Sequence, residues 1–375
     1  MISQLRESLR PARKPLNSLL RTRFVSSLVT PRRVDDYLEL IDPTWSVQDV
    51  RARVTLVRSA TRSAVSLWLQ PNELWRGFRA GQYVELSVRS RGIRHTRCFS
   101  ISSAPEDGLP LRVTIQGVAD GRVSAWVRQH VQVGDVVHMS QARGEFVLPA
   151  VAPRQLLFIT AGSGITPAMA MARQLTFAHY TGELSWLHYA RDEVIFADEL
   201  AELGAALPNV RLSVQRTGRG KLSSERRHFS AQQLELLVPG WRNCETYACG
   251  PTPLLDAVLA HWQSHELVGR LHVERFVPGR LALPGPQAQA LACRLVFQQS
   301  GREHAGQSGR SLLEQAEAAG LRPPSGCRMG VCHSCVCRKI SGVVRNELTG
   351  RVSSEPGEDI QLCISTPRSN VVLDL

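Results

Sequence analysis

The chain has 375 residues, enough for two or three domains at roughly 150 residues each, every one able to bury a core. No apolar run approaches the ~18 residues that a membrane-crossing helix needs. Nine cysteines in a chain this long, four of them in a cluster pattern, point to a reducing, cytoplasmic compartment rather than a disulfide scaffold.

The net charge of +12 is unevenly placed, because residues 1–33 carry eight Arg or Lys against one Glu. Such an arm reads as a solvated terminus, as an attraction to an acidic partner or the anionic inner face of a membrane, or as an Arg-rich transit segment. Nucleic acid is not expected, since no aromatic-interleaved basic patch or reading motif accompanies the charge. The arm continues to residue 45 with helical character over Val34-Asp-Asp-Tyr-Leu-Glu-Leu-Ile.

Residues 46–150 change texture. Arg53-Val-Thr-Leu-Val, Val65-Ser-Leu-Trp-Leu, Tyr83-Val-Glu-Leu-Ser-Val and Leu111-Arg-Val-Thr-Ile alternate with period two between Gly, Pro and Asn. Many strands with few helices predict a small antiparallel barrel. Within it, Arg97-Cys98-Phe99-Ser100 could hold a phosphate, cover a flat ring and hydrogen-bond its edge; an ordinary edge strand is the plain alternative. Gly121-Arg-Val123-Ser124 opens a helix expected over 125–131, where a Ser cap makes either an anion site or a simple N-cap.

Residues 151–278 alternate strand and helix, which predicts a parallel sheet with crossover helices. Leu156-Leu-Phe-Ile-Thr runs into the turn Thr160-Ala-Gly162-Ser163-Gly164-Ile-Thr166-Pro167, ahead of a helix expected over 167–175. Strand, glycine turn, helix is the context of a phosphate or dinucleotide site. A proline replaces the third glycine of the usual fingerprint, and Thr before Pro is also good capping chemistry, so a structural turn is the alternative. Cys249-Gly250-Pro251 repeats this logic before a helix expected over 254–262. Arg191, Arg216, Arg219 and Lys221 follow the second and third strands, where a clamp for a 2′-phosphate would be built; a solvated basic edge is the plain reading.

Residues 279–290 are a Pro/Gly/Ala linker. The module from 291 to 375 carries Cys327, Cys332 and Cys335 in C-x4-C-x2-C spacing, closed far downstream by Cys363. This is plant-type [2Fe–2S] spacing, four thiolates on two irons. Structural zinc is the rival, but it favours two short knuckles, and here the fourth cysteine stands alone. Cys337 lies off the ligand spacing.

Taken together, Arg97-Cys-Phe-Ser100, Gly121-x-x-Ser124, the 160–167 turn, Cys249-Gly-Pro251, Glu274-Arg-Phe276 and the terminal cluster motif resemble the ferredoxin–NADP reductase superfamily. More narrowly, they resemble the three-part reductases of oxygenases and desaturases. The resemblance implies an antiparallel barrel for the flavin, a parallel α/β domain for NAD(P)H and an α+β (β-grasp) ferredoxin domain. By it, Arg97 binds the flavin phosphate, with Cys98 beside it; Phe99 lies along the isoalloxazine, and Ser100 contacts its reactive nitrogen. Gly121, Val123 and Ser124 take the pyrophosphate. Thr160, Gly162, Ser163 and Gly164 face the nicotinamide dinucleotide. Cys249, Gly250 and Pro251 lie near the nicotinamide, with Glu274 and Phe276 beside the flavin. Ser100, Cys249 and Glu274 are the expected catalytic group. The family more often has Tyr at the place of Phe99, which removes a hydroxyl contact and keeps the stacking.

The expected cofactors are FAD, with FMN the alternative, a [2Fe–2S] cluster, and NADPH ahead of NADH. The tail Ile360-Gln-Leu-Cys363-Ile-Ser, the CRMGVCHSCVCRKISG run and the lead-in from Tyr37 to Trp45 resemble reductases that feed membrane fatty-acid desaturases. The expected acceptor is therefore a desaturase. An aromatic-ring or phenylacetyl-CoA-type oxygenase is the first alternative, and a flavin and iron–sulfur redox sensor is an alternative of another class.

Overall fold

The computed structural model describes residues 34–90, 93–108, 110–118, 122–206, 209–217, 228–276, 292–325, 330, 334–347 and 350–375. The basic arm at 1–33 and the linker at 279–290 lie outside them. Among the described residues no helix is long and apolar enough to cross a membrane. The chain divides into two compact units. One runs to Arg94 and resumes over Cys98–Tyr247; the other holds His95–Arg97 and Ala248–Leu375.

The lead-in forms one short helix, α1 (Val34–Ile41). It is tied down by Asp35, which accepts from Ser46 Oγ at 2.5 Å and from the Val47 amide at 2.8 Å.

Strands β1 (Arg51–Ser59), β2 (Ala64–Pro71), β3 (Tyr83–Ser90), β4 (Ile93–Ser100), β5 (Leu111–Gln116) and β6 (Val136–Met139) follow. They form an antiparallel sheet in the order β4-β3-β6-β1-β2-β5. An isolated bridge between Ile101 and Val113 joins the two ends of that order and rounds the sheet into a barrel. Period-two patterning explains the interior: Ala52, Val54, Leu67, Leu69, Leu111, Val113 and Ile115 all have no exposed surface. Each large side chain buried this way is worth roughly 1.5–3 kcal/mol. Helix α2 (Arg122–His130) adds Val123 and Val127, one turn apart on a single face, to the same core.

The next strands, β7 (Gln155–Ala161), β8 (Glu183–Ala190) and β9 (Val210–Arg216), pair in parallel, with Ile159 opposite Leu187 and Leu187 opposite Ser213. Helices α3 (Ile165–Phe177) and α4 (Ala197–Ala206) are the crossovers. Leu156 to Thr160 are buried on both faces, as a strand covered on both sides must be. Helix α5 (Ala231–Leu237) is capped by Ser230, whose Oγ accepts from the Gln233 amide at 3.2 Å. Then come β10 (Glu245–Gly250), α6 (Thr252–Ser264) and β11 (Leu271–Arg275), and the five-stranded sheet has the order β11-β10-β7-β8-β9.

The last module begins with the hairpin β12 (Ala292–Phe297) and β13 (Arg302–Gln307), followed by α7 (Leu312–Ala318) under a Ser311 cap. After the cysteine loop come β14 (Val336–Ser341), β15 (Val344–Asn346), β16 (Val352–Ser353), β17 (Glu358–Gln361), β18 (Ser365–Pro367) and β19 (Val371–Leu373). The main sheet is mixed, ordered β13-β12-β19-β14-β17, with β12 and β19 parallel. Its helix contributes Leu312 and Leu313 to one core with Leu295, Phe297 and Leu373 of the sheet. This is the expected α+β arrangement.

Candidate functional site

The segment 97–100 ends β4. Arg97, Cys98 and Phe99 are half-buried and Ser100 is buried. Arg97 Nη1 donates to the Thr96 carbonyl at 2.7 Å, and Phe99 packs against the barrel core. Strand β4 does end its sheet order, so the edge-strand reading is true of the backbone. It does not account for Ser100, whose Oγ is sealed from solvent with no hydrogen-bond partner among the described residues. A buried hydroxyl left orphaned costs free energy and marks a place for a polar ligand atom.

The capping role expected of Ser124 is corrected. Helix α2 starts at Arg122, so Ser124 lies inside its first turn, and its Oγ accepts from the Val118 amide at 3.3 Å. The reason is Val123, only 1% exposed: burying it in the barrel core draws the first turn back past the serine. Gly121 lies outside the described residues.

The turn after β7 is a short 3₁₀ segment over Gly162–Gly164 feeding α3 at Ile165. Gly162 has φ +53°, a left-handed conformation that favours glycine. Ser163 is half-buried and Gly164 buried. Thr166 is inside the helix rather than its cap, and its hydroxyl donates to the Ser163 carbonyl at 2.9 Å. The Thr160 side chain is already committed. Trp186 Nε1 donates to its Oγ1 at 2.8 Å, and that oxygen lies 2.9 Å from His188 Nδ1. Burial, with Arg216 nearby, pushes His188 down to about 4, so the ring is neutral and shares one hydrogen bond with the threonine hydroxyl. Thr160 itself has no exposed surface.

Arg191 and Arg216 are both exposed, after β8 and at the end of β9, and Arg216 donates to the Asp192 carbonyl. Arg219 and Lys221 lie outside the described residues.

Cys249 and Gly250 close β10, both buried, and Pro251 is the exposed N-cap of α6. Burial, then the neighbouring Glu274, pushes the Cys249 thiol well up, so it stays protonated. Glu274 on β11 is half-buried as a residue, yet its Oε2 is sealed and has no hydrogen-bond partner among the described residues. Burial raises its carboxyl to about 8. Phe276, just beyond, is half-buried.

Cys335 and Cys363 are buried in the core of the last module, at 2% and 5% exposure. The Leu362 amide donates to the Cys335 carbonyl at 3.1 Å, which brings their backbones together. Gly330 has φ +78°, a left-handed conformation, and its carbonyl accepts from Gln361 Nε2 at 2.7 Å. Cys327 and Cys332 lie outside the described residues. Cys337 is a core thiol: its Sγ donates toward the Asp374 carbonyl at 3.7 Å, and burial pushes it up to about 11.

Sequence reasoning missed three features whose partners are distant in the chain. These are the Trp186–Thr160–His188 cluster, the buried Lys339 on β14, and an ion network around the buried Arg112. Lys339 has no exposed surface, and its Nζ donates to the carbonyls of Gly342 at 2.9 Å and Glu355 at 2.6 Å. A buried charge in a strand pattern was the available signal.

The donor chemistry fits the expected cofactors. An orphaned Ser100 hydroxyl suits the polar edge of a flavin, and the buried Cys335 and Cys363 suit an iron–sulfur cluster.

Comparison with known proteins agrees. Residues 53–148 match the oxidoreductase FAD-binding domain, 158–259 the oxidoreductase NAD-binding domain and 295–368 the 2Fe-2S iron-sulfur cluster binding domain. The chain is 36% identical to an NADPH oxidoreductase of Mycobacterium tuberculosis, over 94% of this chain and 91% of that one. It is 32% identical to the ferredoxin reductase component of 3-ketosteroid-9-alpha-monooxygenase of the same species, over 79% and 84%. It is 29% identical to the glycine betaine monooxygenase reductase subunit of Chromohalobacter salexigens, over 79% and 87%. Phthalate dioxygenase reductase shares the fold, with a TM-score of 0.59 at 24% identity, over 88% of this chain and 98% of that one. The chain therefore belongs to the ferredoxin–NADP reductase-like oxidoreductases that join FAD-binding, NAD-binding and [2Fe–2S] domains.

Proposed function

We propose that this NAD(P)H oxidoreductase is the reductase component of an oxygenase system, with NADPH as donor and a separate iron oxygenase as acceptor. The observation that carries the reading is the buried pair Cys335 and Cys363 in a chain that also has FAD- and NAD-binding domains. Such a chain has an outlet for single electrons. Relatives named as monooxygenase reductase components support the class of acceptor. The relative named NADPH oxidoreductase supports the donor, as do two exposed arginines beyond β8 and β9.

When bound, FAD would supply hydride acceptance from NAD(P)H, and a plant-type cluster, near about −400 mV, would supply one-electron transfer. The chain's own residues bind and orient. Arg97 holds the flavin phosphate and Phe99 covers the ring. Cys98 lies alongside, and Ser100 offers its hydroxyl to the flavin edge. Gly121, Val123 and Ser124 approach the pyrophosphate. Gly162, Ser163 and Gly164 offer backbone to the dinucleotide, and Arg191 and Arg216 its 2′-phosphate. Cys249, with Gly250 and Pro251, presents a neutral thiol near the nicotinamide. Glu274 holds a proton below about pH 8 and Phe276 shields that side. Cys327, Cys332, Cys335 and Cys363 hold the cluster.

A second reading keeps the membrane fatty-acid desaturase as acceptor. It rests on the run CRMGVCHSCVCRKISG, which resembles reductases that feed membrane desaturases. Under it, the basic residues 1–33 would work at an anionic membrane surface from the cytoplasmic side. Delivery of electrons from NADPH to a panel of oxygenase terminal components and a desaturase separates the two. Turnover with an oxygenase alone supports the first reading, and turnover with the desaturase alone replaces it.

A further inference from the structure

Arg112 on β5 is a buried cation that the electron-transfer reading does not use. Its guanidinium carbon lies between two rings, 4.8 Å from the Trp68 centroid and 4.6 Å from that of Phe196. Nη1 donates to both carboxylate oxygens of Glu199, at 2.7 and 3.0 Å, in the first turn of α4. Nη2 donates to Ser66 Oγ at 3.1 Å, inside the barrel wall. Phe196, which closes the sandwich, sits at φ +67°, a conformation that an aromatic residue adopts only when its surroundings hold it there.

The main chain of the same residue grips the segment just beyond Ser100. The Arg112 amide donates to Ser103 Oγ at 2.9 Å, and its carbonyl accepts from the Ser102 amide at 2.8 Å and from Ser102 Oγ at 3.2 Å. A second route runs parallel. The Ala104 amide donates to Asp107 Oδ2 at 2.7 Å, Arg173 Nη1 on α3 reaches that oxygen at 3.5 Å, and Arg173 also donates to Glu199. Both routes begin within four residues of Ser100 and end on one carboxylate of the parallel α/β half.

Burying Arg112 against a half-buried glutamate is a poor way to gain stability, since desolvation of the guanidinium offsets much of the attraction. A planar guanidinium with one nitrogen on both Glu199 oxygens and the other on Ser66 is better suited to holding one relative placement of two elements. We propose that Arg112 is a positioning residue for hydride delivery. Through Glu199 it holds the segment 100–104 of the barrel in register with the α3 and α4 side of the nucleotide-binding half. The inference rests on assigning Ser100 to the flavin and the 160–167 turn to NAD(P)H.

The test uses the flavin-loaded full chain and two variants, Glu199→Gln and Arg112→Lys. Each roughly keeps side-chain size while removing either the carboxylate charge or the planar guanidinium that bridges Glu199 and Ser66. Anaerobic stopped-flow reduction of the wild-type flavin by NADPH comes first; its failure would count against the functional reading itself. Given wild-type reduction, Glu199→Gln is expected to slow flavin reduction about tenfold, as a small misplacement of reacting groups does, with NADPH affinity within about twofold. Independently of turnover, amide hydrogen exchange at 102–104 should quicken several-fold in both variants, while β12–β14 exchanges as in wild type. A folded, fully flavin-loaded Glu199→Gln protein that reduces at the wild-type rate would overturn the inference. So would faster exchange confined to 196–206, or a slower rate that merely tracks loss of flavin.

Discussion

The backbone amide of Leu362 donates to the carbonyl of Cys335 at 3.1 Å, so Cys363 enters the core beside the turn that leads from Cys335 into β14. Two thiols far apart in sequence thus share one apolar interior, held by β14 pairing with β17 through Val336 opposite Gln361. Two thiols fixed in one apolar interior are half of what a four-thiolate cluster needs.

Cys363→Ser should therefore remove the cluster's visible absorbance while leaving flavin content unchanged. NADPH-driven ferricyanide reduction is expected to persist and cytochrome c reduction to fall to background. Parallel assays with the two acceptors check this.

Lys339→Met should destabilise the C-terminal module by about 2–4 kcal/mol, because the charge-assisted hydrogen bonds to the carbonyls of Gly342 and Glu355 are lost. Urea unfolding followed by loss of cluster colour reads the change. The flavin transition should stay in place.

Thr160→Val removes the acceptor for Trp186 Nε1 and the partner of His188, and should cost about 1–3 kcal/mol. The same cluster sets an acid limit. His188 sits at about 4 when folded against about 6.5 when unfolded, so the unfolded chain binds more protons between those values. Its contribution is fully present above pH 6.5 and is lost as pH falls toward 4. His188→Gln should flatten that part of the profile, measured by thermal unfolding across pH.

Glu274 works in the opposite direction. Its folded value of about 8 exceeds the unfolded value of about 4.3, so the folded chain binds the extra proton between them. In the flavin-free protein, stability should decline as pH rises from about 4.3 to 8 and level off above. Glu274→Gln should remove that slope. Unfolding midpoints of the two proteins over this range provide the check.

What was legible in the sequence was local. Val65, Leu67 and Leu69 alternate because a strand's side chains alternate, and all three point into the barrel core. Leu156 to Thr160 read as a strand covered on both faces, and that is where they lie. The cysteine spacing alone carried the iron–sulfur reading. What was missed depends on partners that no short window contains. Arg112 meets Glu199 at a separation of 87 residues, and Lys339 reaches the Glu355 carbonyl across 16. Ser124 read as a cap because capping statistics ignore tertiary pull, and the burial of Val123 decided otherwise. The acceptor is harder still, since partner choice is written in surface complementarity and not in a motif.

The most direct test of the central claim is an anaerobic absorbance titration of the purified full chain with NADPH, repeated with NADH. Bleaching of the flavin together with loss of the cluster's broad visible bands, at lower concentrations of NADPH than of NADH, is the predicted result. A yellow protein whose flavin bleaches with no cluster bands present, or a colourless one carrying zinc, would contradict it.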